Sequence, residues 1–151
     1  MPARRSSRSK SKAVTRGAGA PPSPPPPPMP ANFPNARSSG LFSAPKDATF
    51  IDWAVMNGGI VGHWIRVKIY KCPVGAAKVA IAGPTAVFLD ARVAAHGGVS
   101  LTANYSSVYY EVVVEDEDMR MQPSVQLFRA YPTDVIAGTL ITPGDFGQTV
   151  A

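Results

Sequence analysis

The second half of the chain alternates apolar and polar residues with the period of a β-strand. The clearest example is residues 63–71, in which the side chains at 65, 67 and 69 are aliphatic. A period of two places these side chains on one face of a strand, toward a core, and the intervening ones on the opposite face. The outward set combines cations with aromatic rings: Trp64, Arg66, Lys68 and Tyr70.

Similar patterns predict seven or eight strands between residues 49 and 142. Glycine, proline and asparagine separate them, and these residues commonly interrupt strands. Short strands at such spacing are typical of an antiparallel sandwich or barrel, so we expect an all-β fold. The alanines of 77–82 and 85–95 leave a short helix there as the alternative. The predicted strands are 49–56, 62–72, 77–82, 85–93, 98–104, 107–115, 124–131 and 134–142.

Charge divides the chain into two unlike parts. Its 151 residues carry a formal net charge of +5. Residues 1–46 contain eight Lys and Arg and no acidic residue, whereas residues 47–151 contain seven Lys and Arg and ten Asp and Glu. Such asymmetry is a sign of a tail that binds nucleic acid or a membrane surface. The basicity therefore belongs to the N-terminal part, and the remainder is mildly acidic.

We predict three segments: a disordered basic arm at 1–20, a proline-rich linker at 21–48 and a β-sandwich domain at 49–151. Residues 4–16 alternate cations with small hydroxyl residues, and too few apolar groups are present to offset the entropy of ordering. Consecutive prolines in 21–30 favour a polyproline II conformation. We expect them to be a stiff spacer that holds the arm away from the domain, because the charged flank of a ligand for polyproline-reading domains is missing.

The arm predicts binding to nucleic acid without sequence specificity. Cations that contact phosphates give affinity but carry no base information. A nuclear-localisation segment and an organellar presequence are alternatives with similar composition. The candidate phosphate ligands of the arm are Arg4, Arg5, Arg8, Lys10, Lys12 and Arg16.

Two further cations in the body, Arg66 and Lys68, are candidate nucleic-acid ligands. They share a strand face with Trp64 and Tyr70, and aromatic rings beside cations suit both bases and phosphates. The same pattern is also typical of a solvated outer face, or of a face that contacts another subunit.

The acidic run 115–118 is a candidate metal site. Carboxylates at a strand end supply the oxygen ligands that Ca²⁺ prefers. We expect no cofactor other than a calcium ion bound here at a subunit interface. The alternative is a solvated turn, because calcium loops space their ligands and include a glycine that this run lacks. The candidate ligands are Glu115, Asp116 and Asp118.

No catalytic constellation is evident, and we expect a non-enzymatic protein. His63 and His96 are the only histidines, and neither a nucleophile elbow nor a phosphate loop is present. The single cysteine, Cys72, follows a strand and is interpreted as an inert, half-buried thiol. No apolar run approaches the roughly 20 residues of a membrane span, and none follows the basic N-terminus as in a secretory signal.

The order of basic arm, proline-rich linker and small β-domain resembles coat proteins of small icosahedral RNA viruses, most of all those of satellite and other small plant viruses. The resemblance covers Arg4–Arg16 as the arm, 17–48 as the linker and 49–142 as the strands, and it includes no signature motif. It implies a jelly roll, in compact or reduced form because about 104 residues is short for eight strands with their loops.

The resemblance also implies a function. A capsid protein of this kind assembles with itself through the β-domain into a large homo-oligomer and packages single-stranded RNA through its arm. It is located in the virion, and in the host cytoplasm during assembly, with no membrane partner. Aromatic residues are enriched at protein interfaces, and the candidate interface anchors are Trp53, Trp64, Phe128, Tyr131 and Phe146.

A different class of protein is the alternative. A cellular RNA-binding or adaptor protein, or a viral movement protein or silencing suppressor, would use the same basic arm and a polyproline spacer without forming a shell.

Overall fold

The computed structural model describes residues 24–102 and 108–149, in which the regular elements are β-strands and one three-residue 3₁₀ turn. The all-β prediction is confirmed. No helix of the described residues has the length and apolarity needed to cross a membrane. The elements are β1 (Asn35–Ser38), β2 (Phe50–Asn57), β3 (His63–Pro73), β4 (Val79–Leu89), β5 (Ala94–Ser100), β6 (Val108–Asp116), β7 (Met121–Ala130), β8 (Asp134–Val135), the 3₁₀ turn Pro143–Asp145 and β9 (Gly147–Gln148).

The strands pair in antiparallel fashion into two sheets that pack as a sandwich. Sheet A has the order β4-β3-β6-β1-β9, and sheet B has the order β5-β2-β7-β8. Inward side chains of both sheets meet in one core, for example Ile51 and Val55 of β2 with Ile65 and Val67 of β3. Burial of this apolar surface is the main stabilising contribution to the fold. The predicted antiparallel sandwich is confirmed.

The strand order is that of a jelly roll with one strand replaced and one short strand, β9, added at the edge of sheet A. A jelly roll has eight strands, conventionally lettered B to I, in two sheets of order B-I-D-G and C-H-E-F. When β1 to β7 are read as C to I, sheet A contains C-H-E-F and sheet B contains I-D-G. The position beside β7 that strand B would occupy is taken by the short β8. The sandwich is therefore a reduced jelly roll.

The two strands predicted at 77–82 and 85–93 are one strand, β4, and the alanines form no helix. Gly83 and Pro84 were expected to end a strand, but they lie inside β4. The register between β3 and β4 shifts beside them, so that Ala82 pairs with Ile69 and Thr85 with Val67. Pro84 is tolerated because β4 is at the edge of sheet A, where a missing N–H is least costly.

The strand predicted at 98–104 begins earlier, because the glycine-containing segment that separates it from the preceding predicted strand, His96-Gly97, is itself part of β5. Gly97 and Gly98 are both needed for packing against β2. A Cβ atom at Gly97 would lie 2.8 Å from the Trp53 ring, and one at Gly98 would lie 2.1 Å from the Ile51 carbonyl oxygen. The glycines therefore let the backbone of β5 approach β2 closely.

The strand predicted at 134–142 is also shorter than expected. It is reduced to β8 and a single bridge between Val125 and Ile141. Gly138 has a φ of 78°, a left-handed conformation in which the chain turns instead of extending.

The linker predicted for 21–48 is wrong over part of its length. Residues 35–38 form β1, which lies inside sheet A between β6 and β9. No apolar alternation marks this strand, because its buried residues are the polar Arg37 and Ser38. The folded body therefore begins well before residue 49.

A buried ion pair between β1 and the neighbouring strand β6 holds β1 in place. Arg37 is 6% exposed and Asp116 is fully buried. The Arg37 Nη2 group donates hydrogen bonds to Asp116 Oδ2 at 2.5 Å and to the Met121 carbonyl oxygen at 2.6 Å. Burial raises the pKa of Asp116, and the neighbouring guanidinium opposes that shift. Either charge buried without the other would destabilise the fold, so the stability of β1 depends on both residues together.

We expect Arg37→Ala to destabilise the protein by about 3–5 kcal/mol, because it leaves the Asp116 carboxylate buried without its cation. Urea unfolding followed by circular dichroism measures this loss. The double variant Arg37→Met/Asp116→Leu removes both charges and is expected to recover most of the stability. A loss below about 1 kcal/mol in Arg37→Ala would contradict the role of the pair.

Candidate nucleic-acid and assembly surfaces

The six cations of the arm lie outside the described residues, which begin at Pro24. Their role in nucleic-acid binding therefore stays a prediction. The structure describes instead the surface on which the segment after the arm lies, and the partners of the cations in the body.

The outer face of sheet A carries the predicted stripe of cations and aromatic rings. Ile65, Val67 and Ile69 are buried, as the period of two predicts. The intervening side chains of β3 are half-buried on the opposite face: Trp64, Arg66, Lys68 and Tyr70.

Arg66 and Lys68 are both paired with one carboxylate. Glu115 lies opposite Arg66 on β6 and accepts a hydrogen bond from Arg66 Nε and another from Lys68 Nζ, the latter at 2.8 Å. Burial raises the pKa of Glu115, but the two cations outweigh this effect and hold it below its ordinary value. The Arg66 guanidinium also lies 5.0 Å from the centre of the Phe33 ring. Neither cation is therefore presented alone to a phosphate.

Other cations of the body are paired in the same way. The pairs are Lys78 with Glu111, Arg120 with Asp118, and Arg129 with Asp47 and Asp134. Most cations of the body are therefore neutralised by a nearby carboxylate, whereas the sequence of the arm contains no carboxylate side chain.

The structure does not bring the three candidate calcium ligands together. Glu115 is on the outer face of sheet A, Asp116 points into the core against Arg37, and Asp118 is held by Arg120 at 2.5 Å. Hydrogen bonds from Arg120 keep the pKa of Asp118 far below its ordinary value. Among the described residues, no three His, Cys, Asp or Glu side chains are grouped for a metal ion. Alternation along β6 places Glu115 and Asp116 on opposite faces, and Asp118 follows the end of the strand.

Three of the five predicted interface anchors are buried within the chain itself, and that prediction is corrected. Trp53 and Phe146 belong to the core, and Phe128 is covered by the Tyr131 ring at a centroid distance of 5.1 Å. Tyr131 remains 41% exposed. Trp64 is half-buried on the outer face of sheet A.

Other apolar side chains, which sequence patterns did not single out, are exposed instead. Leu41 and Leu140 are 65% and 54% exposed and line one groove. They lie in loops between strands, where alternation with a period of two does not predict which side chains are exposed. An exposed apolar residue in a loop nevertheless indicates a site of contact with another molecule. Ile60, Val61, Val74 and Val79 are also exposed.

Pro24–Pro27 lie against the domain, whereas the proline run was expected to hold the arm away from it. The Trp64 Nε1–H group donates a hydrogen bond to the Pro27 carbonyl oxygen at 2.8 Å. Pro24–Pro27 also line an open crevice with Phe88 and Asp90. The chain therefore reaches the outer face of sheet A as it leaves the arm.

The Cys72 thiol has the environment of an unreactive group. It is half-buried, and burial raises its pKa, with a further increase from the nearby Glu111 carboxylate. A nucleophilic cysteine needs the opposite shift.

Comparisons with known proteins leave the function open. No protein-family model matches the chain, and no curated protein is significantly similar to it. A crystal structure of Thermotoga maritima 1070 aligns with 12% identity and a TM-score of 0.42, over 74% of this chain and 91% of that chain. Similarity at this level does not identify a function.

We expect Glu115→Gln to strengthen binding of single-stranded RNA at low salt, because Arg66 and Lys68 lose their common carboxylate. Two freed cations add about 1.4 to the magnitude of the slope of log K against log salt concentration. Fluorescence anisotropy of a short labelled RNA over a salt series measures the slope.

The matched control is Asp134→Asn, which changes the net charge equally but removes a carboxylate from sheet B. Equal effects of the two variants would contradict a local role of Glu115.

Proposed function

We propose that this chain is a coat protein that packages single-stranded RNA through its basic arm and assembles with itself through the β-sandwich. The observation that carries the proposal is the separation of charge along the chain. Six cations stand without any acidic residue in 4–16, whereas the pairs described above neutralise most cations of the body. The virion, and the host cytoplasm during assembly, are the corresponding locations.

RNA binding in this proposal depends on phosphate contacts of the arm. Six closely spaced cations displace counterions from the RNA, which gives affinity that falls steeply with salt and is independent of sequence. The body adds little electrostatic attraction to RNA, because Arg66 and Lys68 form ion pairs with Glu115. Copies of the arm collected on one side of a shell would offset the charge of the packaged RNA.

The path of the chain supports an orientation for such a shell. The described residues begin on the outer face of sheet A, where Pro27 contacts Trp64. An arm that continues from Pro24 starts from this face, so we propose that it is turned toward the RNA. Exposed apolar side chains such as Leu41 and Leu140 are then available for contacts between subunits.

The reduced jelly roll is consistent with a shell subunit, but a fold does not by itself imply a function. The second candidate is a monomeric RNA-binding or adaptor protein with the same arm. Self-assembly distinguishes the two, and the exposed apolar groove of Leu41 and Leu140 favours the coat protein.

Replacing the six arm cations by serine (Arg4→Ser, Arg5→Ser, Arg8→Ser, Lys10→Ser, Lys12→Ser and Arg16→Ser) is expected to abolish salt-sensitive RNA binding. Six phosphate contacts give a slope of about −4 in log K against log salt, and the variant should approach zero. Anisotropy titrations measure binding, and circular dichroism checks that the strands are retained.

A matched comparison uses two substitutions inside the arm and two outside it. Arg4→Ser/Arg5→Ser should reduce the magnitude of the slope by about 1.4, and Lys46→Ser/Lys71→Ser should reduce it much less. RNA retention that is unchanged in the six-fold variant would refute the role of the arm.

Mixing the protein with single-stranded RNA at low salt is expected to give particles of uniform diameter in negative-stain electron microscopy. Leu41→Asp/Leu140→Asp places charges in the apolar groove and should prevent particle formation, while the salt dependence of RNA binding stays unchanged. A species near the 15.9 kDa mass of one chain under all conditions would exclude a coat protein and favour the monomeric candidate.

A further inference from the structure

Two aromatic rings form a groove on the outer face of sheet A. Trp64 of β3 and Phe88 of β4 are direct partners in the strand register. Their ring centres are 5.7 Å apart, with the planes inclined at 65°. A Cβ atom at Gly62 would lie 2.6 Å from the Phe88 ring, so the glycine makes room for the ring in this position.

The groove has the chemistry that recognises polyproline. Proline lacks an N–H group and cannot donate a backbone hydrogen bond, but its carbonyl oxygen remains an acceptor. Domains that bind proline-rich segments use aromatic surfaces against the rings. An indole N–H beside an apolar ring supplies a donor for such a carbonyl. Trp64 makes this hydrogen bond with the Pro27 carbonyl oxygen, and Phe88 and Asp90 flank the same prolines.

We propose that Trp64 and Phe88 form a binding site for polyproline II segments and that its ligand is Pro24–Pro27 of the same chain. The groove then determines where the basic arm emerges from the domain. The site binds by chemistry shared by all such segments, so a proline-rich peptide supplied separately binds when the chain's own prolines are removed.

The connection to the sandwich favours a ligand from the same chain. Six residues after Pro27, Phe33 is 9% exposed and its ring lies beneath the Arg66 guanidinium. β1 begins at Asn35. A short tether of this kind gives an effective concentration in the millimolar range, which exceeds that of separate ligands.

The test uses the full chain with Pro24→Ser, Pro25→Gly, Pro26→Ser and Pro27→Gly, which vacates the groove without a change of charge. In ¹⁵N–¹H spectra, the Trp64 indole signal should shift, while that of Trp53, buried in the core, should not. The unchanged Trp53 signal also reports that the sandwich is folded. A labelled peptide with the sequence of residues 21–30 should bind the vacated protein and restore the Trp64 signal.

Specificity is tested by two substitutions in the vacated protein. Trp64→Phe removes the donor and should weaken peptide binding about tenfold. Tyr70→Phe, on the same face but outside the prolines' contacts, is the matched control and should leave binding unchanged. A peptide in which serine and glycine replace the prolines should not bind.

Three results would overturn the proposal. The first is equal binding of the proline-rich and serine-glycine peptides, and the second is unchanged binding in Trp64→Phe. The third is a Trp64 indole signal that is the same in the unmodified protein and in the four-fold proline variant, because it would show that the chain's own prolines do not contact Trp64.

Discussion

The buried pair of Arg37 and Asp116 is the interaction on which the arrangement of the chain depends. It holds β1 in the interior of sheet A through residues 79 positions apart, and thereby anchors the N-terminal segment to the sandwich. A buried ion pair often adds no more to the free energy of unfolding than hydrophobic residues of similar size at the same positions would. Its consequence is geometric: the segment before β1 starts from a fixed place on the body.

From that place the chain crosses the outer face of sheet A. Phe33 lies beneath Arg66, and Pro27 accepts the hydrogen bond of Trp64. The same face carries Glu115, which neutralises Arg66 and Lys68. The face that the sequence pattern predicts as a nucleic-acid surface is therefore partly covered, at Trp64 and Arg66, by the chain's own N-terminal segment, and its charge is largely balanced. Attraction to RNA, in the function proposed, rests with the arm.

Prediction from sequence succeeded where structure follows from local alternation. β2, β3 and β6 lie close to their predicted bounds, because each has a continuous aliphatic face. Prediction from sequence failed where the structure of a segment depends on residues that are distant in the sequence. Gly97 and Gly98 resemble a turn until Trp53 and the backbone of β2 are placed beside them. Trp53 resembles an interface anchor until the second sheet covers it.

The sequence by itself determined the class of fold and the division of charge, because the period of two and the local count of cations are properties of short segments. The tertiary structure alone decided that Asn35–Ser38 is a strand, since its burial depends on Asp116 of β6. It also decided which cations the neighbouring carboxylates pair with: Arg66 and Lys68 for Glu115, Arg37 for Asp116 and Arg120 for Asp118. The cation that pairs with a carboxylate depends on which strands lie beside it in the sheet. The residues next to that carboxylate in the sequence do not determine this.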